Sequence, residues 1–136
     1  MMDVVTLLKE KNLTVTPQRV EIMNILSSQG HINIDELYKL VHISFPSISL
    51  ATVYKNINIM LEKLLLSEVQ IPSKKNVYEI RKDEHAHVTC TSCDAIMDID
   101  LQADDVISQV QEKSGFTLNS SSMIFSGVCQ SCSGSK

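Results

Sequence analysis

The chain has 136 residues (15.2 kDa), of which 43% are hydrophobic and 21% charged. That balance fits one globular domain or two small ones and leaves no room for a large two-domain enzyme. No apolar stretch reaches the roughly 18 residues of a membrane-spanning helix. The segment from Met1 to Glu10 has no basic start and carries Asp3, so a cytoplasmic protein without a secretory leader is expected. Averaged over the chain, the net charge of −4 argues against nucleic acid. The charge is uneven, however. Residues 1–82 carry ten Lys/Arg against eight Asp/Glu, a net +2, while residues 83–136 carry two against eight, a net −6. Only the first segment can approach a phosphate backbone cheaply.

In chain order, residues 3–11 predict a short amphipathic helix with Val4, Val5, Leu7 and Leu8. Thr16 is a good N-cap for a second helix, and Pro17 suits its first position, where the missing N–H costs nothing. That helix buries Val20, Met23 and Leu26 and stops before Gly30. Asn33 followed by Glu36 predicts a capped third helix with Ile34, Leu37, Tyr38 and Val41 on one face, ended by Phe45-Pro46-Ser47. Ser49 caps a fourth, whose apolar stripe is Leu50, Val53, Ile57, Met60, Leu61 and Leu64. Its opposite face shows Thr52, Lys55 and Asn56, with Ile59 an apolar exception. Strands are expected at 66–71 and 77–81 around a lysine-bearing turn, residues 72–76. Helices followed by a hairpin describe a winged helix-turn-helix, residues 1–82, which places one helix in the major groove.

After the polar junction Lys82-Asp83-Glu84, residues 87–89 and 96–99 read as strands. A helix opens at Asp104 and Asp105, with Val106, Ile107 and Val110 inside, and closes at Lys113 and Gly115. Residues 116–125 are expected as a last strand. The fold class is therefore α+β, an N-terminal winged helix followed by a small C-terminal α/β domain, residues 83–136. About 50 residues are too few for a self-sufficient core, so the second domain needs a staple, a partner subunit, or both.

All four cysteines lie in that domain, as Cys90-x-x-Cys93 and Cys129-x-x-Cys132. Four thiolates can close a tetrahedron around zinc, with Zn–S near ~2.3 Å, and metal binding then becomes folding energy. Disulfides are disfavoured in a reducing compartment. A redox pair wants a helix N-terminus after a strand, and neither pair offers a clear one. Structural zinc is the preferred reading. His85 and His87 stand just before Cys90, and on an extended segment residues two apart point to one side. They are not needed for the zinc and are available for a second metal. Candidate co-ligands are His31, Glu79 and Asp98, a nitrogen-and-oxygen set suited to Fe(II) or Mn(II). An isolated histidine is commonly solvated or hydrogen-bonded in place, the expectation for His42 and, taken alone, for His31. The residue pattern by itself does not join His31 to the pair.

Thr16-Pro17-Gln18-Arg19, the segment from Ser49 to Asn56, His85-Ala86-His87 with Cys90-x-x-Cys93, and Gly127-Val128-Cys129-Gln130-Ser131-Cys132 together resemble the ferric-uptake-regulator family over nearly the whole chain. The resemblance implies a metal-responsive bacterial transcription regulator: a homodimer on a palindromic operator in double-stranded DNA, with a winged-helix domain and a dimerisation domain. Within the family the chain is most similar to peroxide-sensing repressors. That likeness implies a sensing metal on His31, Glu79, His85, His87 and Asp98, with aspartate at the last position associated with peroxide sensing. It also marks His31 and His85 as the imidazoles oxidised when Fe(II) meets hydrogen peroxide. With Ala86 between the histidines and no histidine after His87, the second regulatory site of iron-uptake members is expected to be missing. Asp94 and Leu64 stand where the family commonly has Gly, and Glu79 where the subgroup often has Asp. Thr52, Tyr54 and Lys55 would meet base edges and phosphates, and Arg19, Lys74 and Lys75 the backbone; Tyr54 alternatively packs against the apolar stripe. The nearest rival is an iron- or zinc-uptake regulator of the same family. A zinc deaminase fails for want of an H-x-E and a proline before Cys90, so no enzyme is expected. A bare zinc module mediating protein contacts would not need residues 1–82.

Overall fold

A computed structural model describes residues 3–82 and 85–134. The junction residues Asp83 and Glu84 lie outside the described set. The chain divides into two compact units, Met1–Lys82 and Asp83–Lys136. Among the described residues no helix is long and apolar enough to cross a membrane.

The first unit is built by local signals that act where they stand. Helix α1 (Val4–Glu10) starts at Asp3, whose carboxylate accepts from the Thr6 N–H. Helix α2 (Pro17–Gln29) starts at Thr16, whose hydroxyl accepts from the Arg19 N–H at 3.2 Å, and ends at Gly30, φ +80°. A two-residue strand β1 (Ile32–Asn33) leads into helix α3 (Ile34–Ser44), where the Asn33 carbonyl oxygen accepts from the Glu36 N–H at 2.9 Å. Helix α4 (Leu50–Glu62) is capped by Ser49. Each cap satisfies one N–H that the first helical turn leaves without a partner. The apolar faces of the helices meet in one core around Leu8, Ile22, Leu26, Leu37, Val53, Ile57 and Met60.

Strands β2 (Leu66–Val69) and β3 (Val77–Ile80) form the wing, and β1 pairs on the other edge of β3, giving the antiparallel order β1-β3-β2. The predicted strands were longer, and β1 was not foreseen. Three readings of α4 are corrected. Leu50 and Leu64 are exposed rather than part of the buried stripe, and Ile59 packs partly against the core. Leu64 lies beyond the helix at φ +60°. Its N–H donates to the Leu61 carbonyl and the Leu65 N–H to the Met60 carbonyl, the paired bonds of a Schellman turn whose left-handed residue is usually glycine.

The second unit has strands β4 (Ala86–Cys90) and β5 (Ile96–Ile99), helix α5 (Asp104–Ser114) and strand β6 (Ile124–Gly127). The order is β5-β4-β6, with β4 antiparallel to β5 and parallel to β6. The strand expected at 116–125 is confined to 124–127, because residues 116–123 are spent returning the chain from α5 to a parallel edge. Gly115 takes the left-handed conformation at the end of α5, as predicted. Val106 and Val110, expected inside, are 51% and 44% exposed, and α5 has no buried residue. The pattern showed that α5 is two-faced, not which chain covers its apolar side.

Candidate metal centres and candidate nucleic-acid interface

The four cysteines converge. Cys90 ends β4, Cys93 follows in the tight turn to β5, and Cys129 and Cys132 follow β6. Because β4 and β6 run parallel with Cys90 opposite Gly127, the second pair emerges beside the first. The four sulfurs lie within 4.8 Å of one another. Backbone N–H groups of Ser92, Cys93 and Cys129 donate to Cys90 Sγ at 3.3–3.4 Å. Those donors, led by Cys129 and Cys93, bring the Cys90 thiol down to about 6. Hydrogen bonding to Cys129, with Cys93 and Cys90 adding, pushes Cys132 up to about 12. At Cys93 the Ala95 N–H and Cys132 pull downward, but Cys90 and Cys129 leave it raised. Cys90 is therefore inclined to the thiolate form, while Cys93 and Cys132 are inclined to keep their protons until a cation neutralises the cluster. Donor type, number and convergence fit a structural zinc.

In the second unit, His85 and His87 point to one side, as expected for residues two apart on a strand. Their Nε2 atoms are 3.0 Å apart. Strand β5 places Asp98 directly opposite His87, with Oδ1 3.5 Å from His87 Nε2 and 3.7 Å from His85 Nε2. In the first unit, the pairing of Ile32 with Tyr78 brings the preceding His31 beside Glu79. His31 Nε2 lies 3.0 Å from Glu79 Oε1, and Glu79 is buried. Each unit thus carries a cluster of imidazole nitrogen and carboxylate oxygen, donors that fit a borderline divalent ion such as Fe(II) or Mn(II) rather than a soft one. His42 stacks obliquely near Tyr38 on the exposed side of α3.

Along α4, Tyr54 and Lys55 are exposed and Thr52 is half-exposed. Tyr54 therefore does not pack into the core. Of the wing lysines, Lys75 is paired with Asp35 at the start of α3. Arg19 is half-buried, its Nε donating to Asn56 Oδ1 and its Nη1 to the Thr14 carbonyl, each at 3.0 Å. Asn56, read from the sequence as part of the outward face, is turned toward Arg19. No local signal could have shown that pairing across separate helices.

The ferric uptake regulator family model matches residues 10–126. The peroxide operon regulator of Bacillus subtilis is 32% identical over 128 residues, covering 93% of this chain and 88% of the relative. A Campylobacter jejuni peroxide stress regulator matches in structure with a TM-score of 0.75 and 38% identity, over 96% of this chain and 100% of the other. A zinc uptake regulator complexed with zinc and DNA matches with a TM-score of 0.76 and 25% identity, over 95% and 89%.

Proposed function

The chain belongs to the ferric uptake regulator family, a family of transcription regulators rather than enzymes, and from that premise we propose that it is a repressor that releases DNA when hydrogen peroxide oxidises its histidine ligands. The observation that carries this reading is the imidazole pair facing Asp98: two Nε2 atoms at 3.0 Å, with a carboxylate oxygen within 3.7 Å of both. The peroxide-regulator relatives support the choice of stimulus.

In this reading His31 and Glu79 from the first unit and His85, His87 and Asp98 from the second hold one regulatory ion. Holding one ion in common fixes the angle between the units, and in a homodimer that angle sets the distance between the two α4 helices. Half-sites of a palindromic operator about 34 Å apart are met only when the distance fits, so ligation favours the DNA-competent state by differential affinity. Thr52, Tyr54 and Lys55 face the bases and phosphates, and Lys74 and Lys75 the backbone along the wing. The exposed apolar side of α5, with Phe116 and Phe125, supplies the dimer surface. Cys90, Cys93, Cys129 and Cys132 hold the structural zinc.

His31, Glu79, His85, His87 and Asp98 would hold ferrous iron, which would supply cleavage of the peroxide O–O bond beside the rings. Either His31 or His85 would take up one oxygen per peroxide in place of a ring C–H hydrogen, the ring giving up the two electrons overall and the other peroxide oxygen leaving as water. An oxidised imidazole is a poorer donor, so the two units lose their common tie. Manganese does not support this oxidation, and the manganese-loaded repressor stays on DNA.

The test is DNA binding by anaerobically purified protein loaded with Fe(II) or Mn(II), before and after peroxide, with peptide mass mapping. Oxygen on His31 and His85 and release of DNA are expected in the iron form only. Release by metal depletion alone, with both histidines unmodified after peroxide, would instead make the protein an uptake regulator.

A further inference from the structure

Arg19 is the cation nearest the head of α2, and its charge invites the role of a phosphate contact. Its bonds point elsewhere. The backbone N–H of Arg19 is held by the Thr16 hydroxyl at 3.2 Å. Its Nη1 ties down the Thr14 carbonyl and its Nε reaches Asn56 Oδ1. Asn56 in turn donates from Nδ2 to the Thr52 carbonyl, one turn back along α4, at 3.0 Å. The guanidinium thus spans from the loop before α2 to the side of the DNA-reading helix. It also decides which way the Asn56 amide faces, because only the carbonyl oxygen can accept from Nε, which turns the NH2 toward Thr52.

The anchored turn is the one that presents Thr52 and, through the intervening residues, Tyr54 and Lys55. We infer that Arg19 is a positioning residue for α4: it sets the helix's rotation against α2 through Asn56 and makes no phosphate contact of its own. This inference rests on the DNA-binding reading above and refines it, moving one cation from the contact surface to the scaffold.

A fork matters here more than a charge. Two acceptors lie in separate directions, and the planar guanidinium meets both. A lysine ammonium carries the same charge but lacks the paired, fixed donors. A phosphate contact and a positioning contact also differ in their salt dependence. Neutralising one phosphate contributes about 0.9 to the slope of log affinity against log salt, whereas a misplaced helix weakens binding without removing a released counterion.

The experiment uses the full-length, metal-loaded protein and a duplex recovered by the wild-type protein from a random pool. Affinity is measured across a salt series for Arg19→Lys, Arg19→Gln, Asn56→Ala and Arg19→Gln/Asn56→Ala, with thermal melting to confirm folding. Expected is a loss of about tenfold for each single variant, the scale of one charge-assisted hydrogen bond, with Arg19→Lys as weak as Arg19→Gln. The salt slope stays at the wild-type value, and the double variant is no weaker than the worse single one. Full binding by Arg19→Lys, a slope flatter by about 0.9 in Arg19→Gln, or additive losses would overturn the inference. If Arg19 variants melt early, the folded Asn56→Ala protein decides it: wild-type affinity there is equally fatal. A wild-type protein that recovers no duplex refutes the regulator reading itself, and the inference with it.

Discussion

Leu64 offers a test in which the usual ranking of two residues reverses. In a helix interior glycine is less stable than alanine by about 1 kcal/mol. At position 64 the backbone sits at φ +60° in a Schellman turn, where a Cβ crowds the following carbonyl at a cost of about 1–2 kcal/mol and glycine carries no such penalty. Glycine's greater freedom in the unfolded chain offsets about 0.5–1 kcal/mol of that. Leu64→Gly should therefore be more stable than Leu64→Ala by roughly 0.5–1 kcal/mol. Comparing these two variants, rather than either with the native chain, cancels the packing lost with a side chain that is 54% exposed. The sequence supplies a convenient reporter: it has no tryptophan, and its three tyrosines, Tyr38, Tyr54 and Tyr78, all lie in the first unit. Urea unfolding followed by tyrosine emission reads that unit alone. With a slope of about 1–1.5 kcal/mol per molar for a domain of this size, the glycine midpoint should lie about 0.5 M higher. An alanine variant equal to or more stable than the glycine one would refute the left-handed turn.

Two further outcomes concern the thiol cluster. Removing zinc with a chelator should unfold the second unit and dissociate the dimer, since ligation supplies folding energy; sedimentation and circular dichroism check this, and an unchanged dimer after complete zinc removal would contradict it. Zinc uptake should also release protons. At pH 7, Cys90 at about 6 is already mostly thiolate, while Cys93 and Cys132 are raised and must each give one up. As pH falls through about 6, Cys90 adds its own proton to the count and affinity weakens more steeply; calorimetry in two buffers of different ionisation enthalpy measures it, and pH-independent uptake would be the wrong result.

What the sequence made legible was what acts over short range. Thr16, Asn33 and Ser49 cap their helices because a side-chain oxygen three residues before an N–H needs no tertiary help. Each C-x-x-C spacing announced half of a thiol site in the same way, while the meeting of the halves depends on the parallel pairing of β4 with β6. Long-range pairing was not legible. Strand β1 is two residues long and exists only because β3 lies beside it, so nothing at Ile32 signalled it. The same pairing brings His31 to Glu79; the residue pattern named both as candidate ligands, but only the family resemblance joined them. Val106 and Val110 were misassigned because periodicity records that a face is apolar and is silent on which molecule covers it. Asn56 looked like part of an outward face because Arg19, its partner, is far away in the chain.

Strand β4 begins directly after His85, carries His87 near that end and finishes on Cys90. Its central place between β5 and β6 makes it a beam shared by the thiol cluster and by the cluster of His85, His87 and Asp98. A molecule whose thiol knot is untied loses the far anchorage of that beam, and with it the alignment of the imidazoles. On the proposed reading zinc must arrive first, and a cell short of it would make regulators that are deaf before any oxidant reaches them.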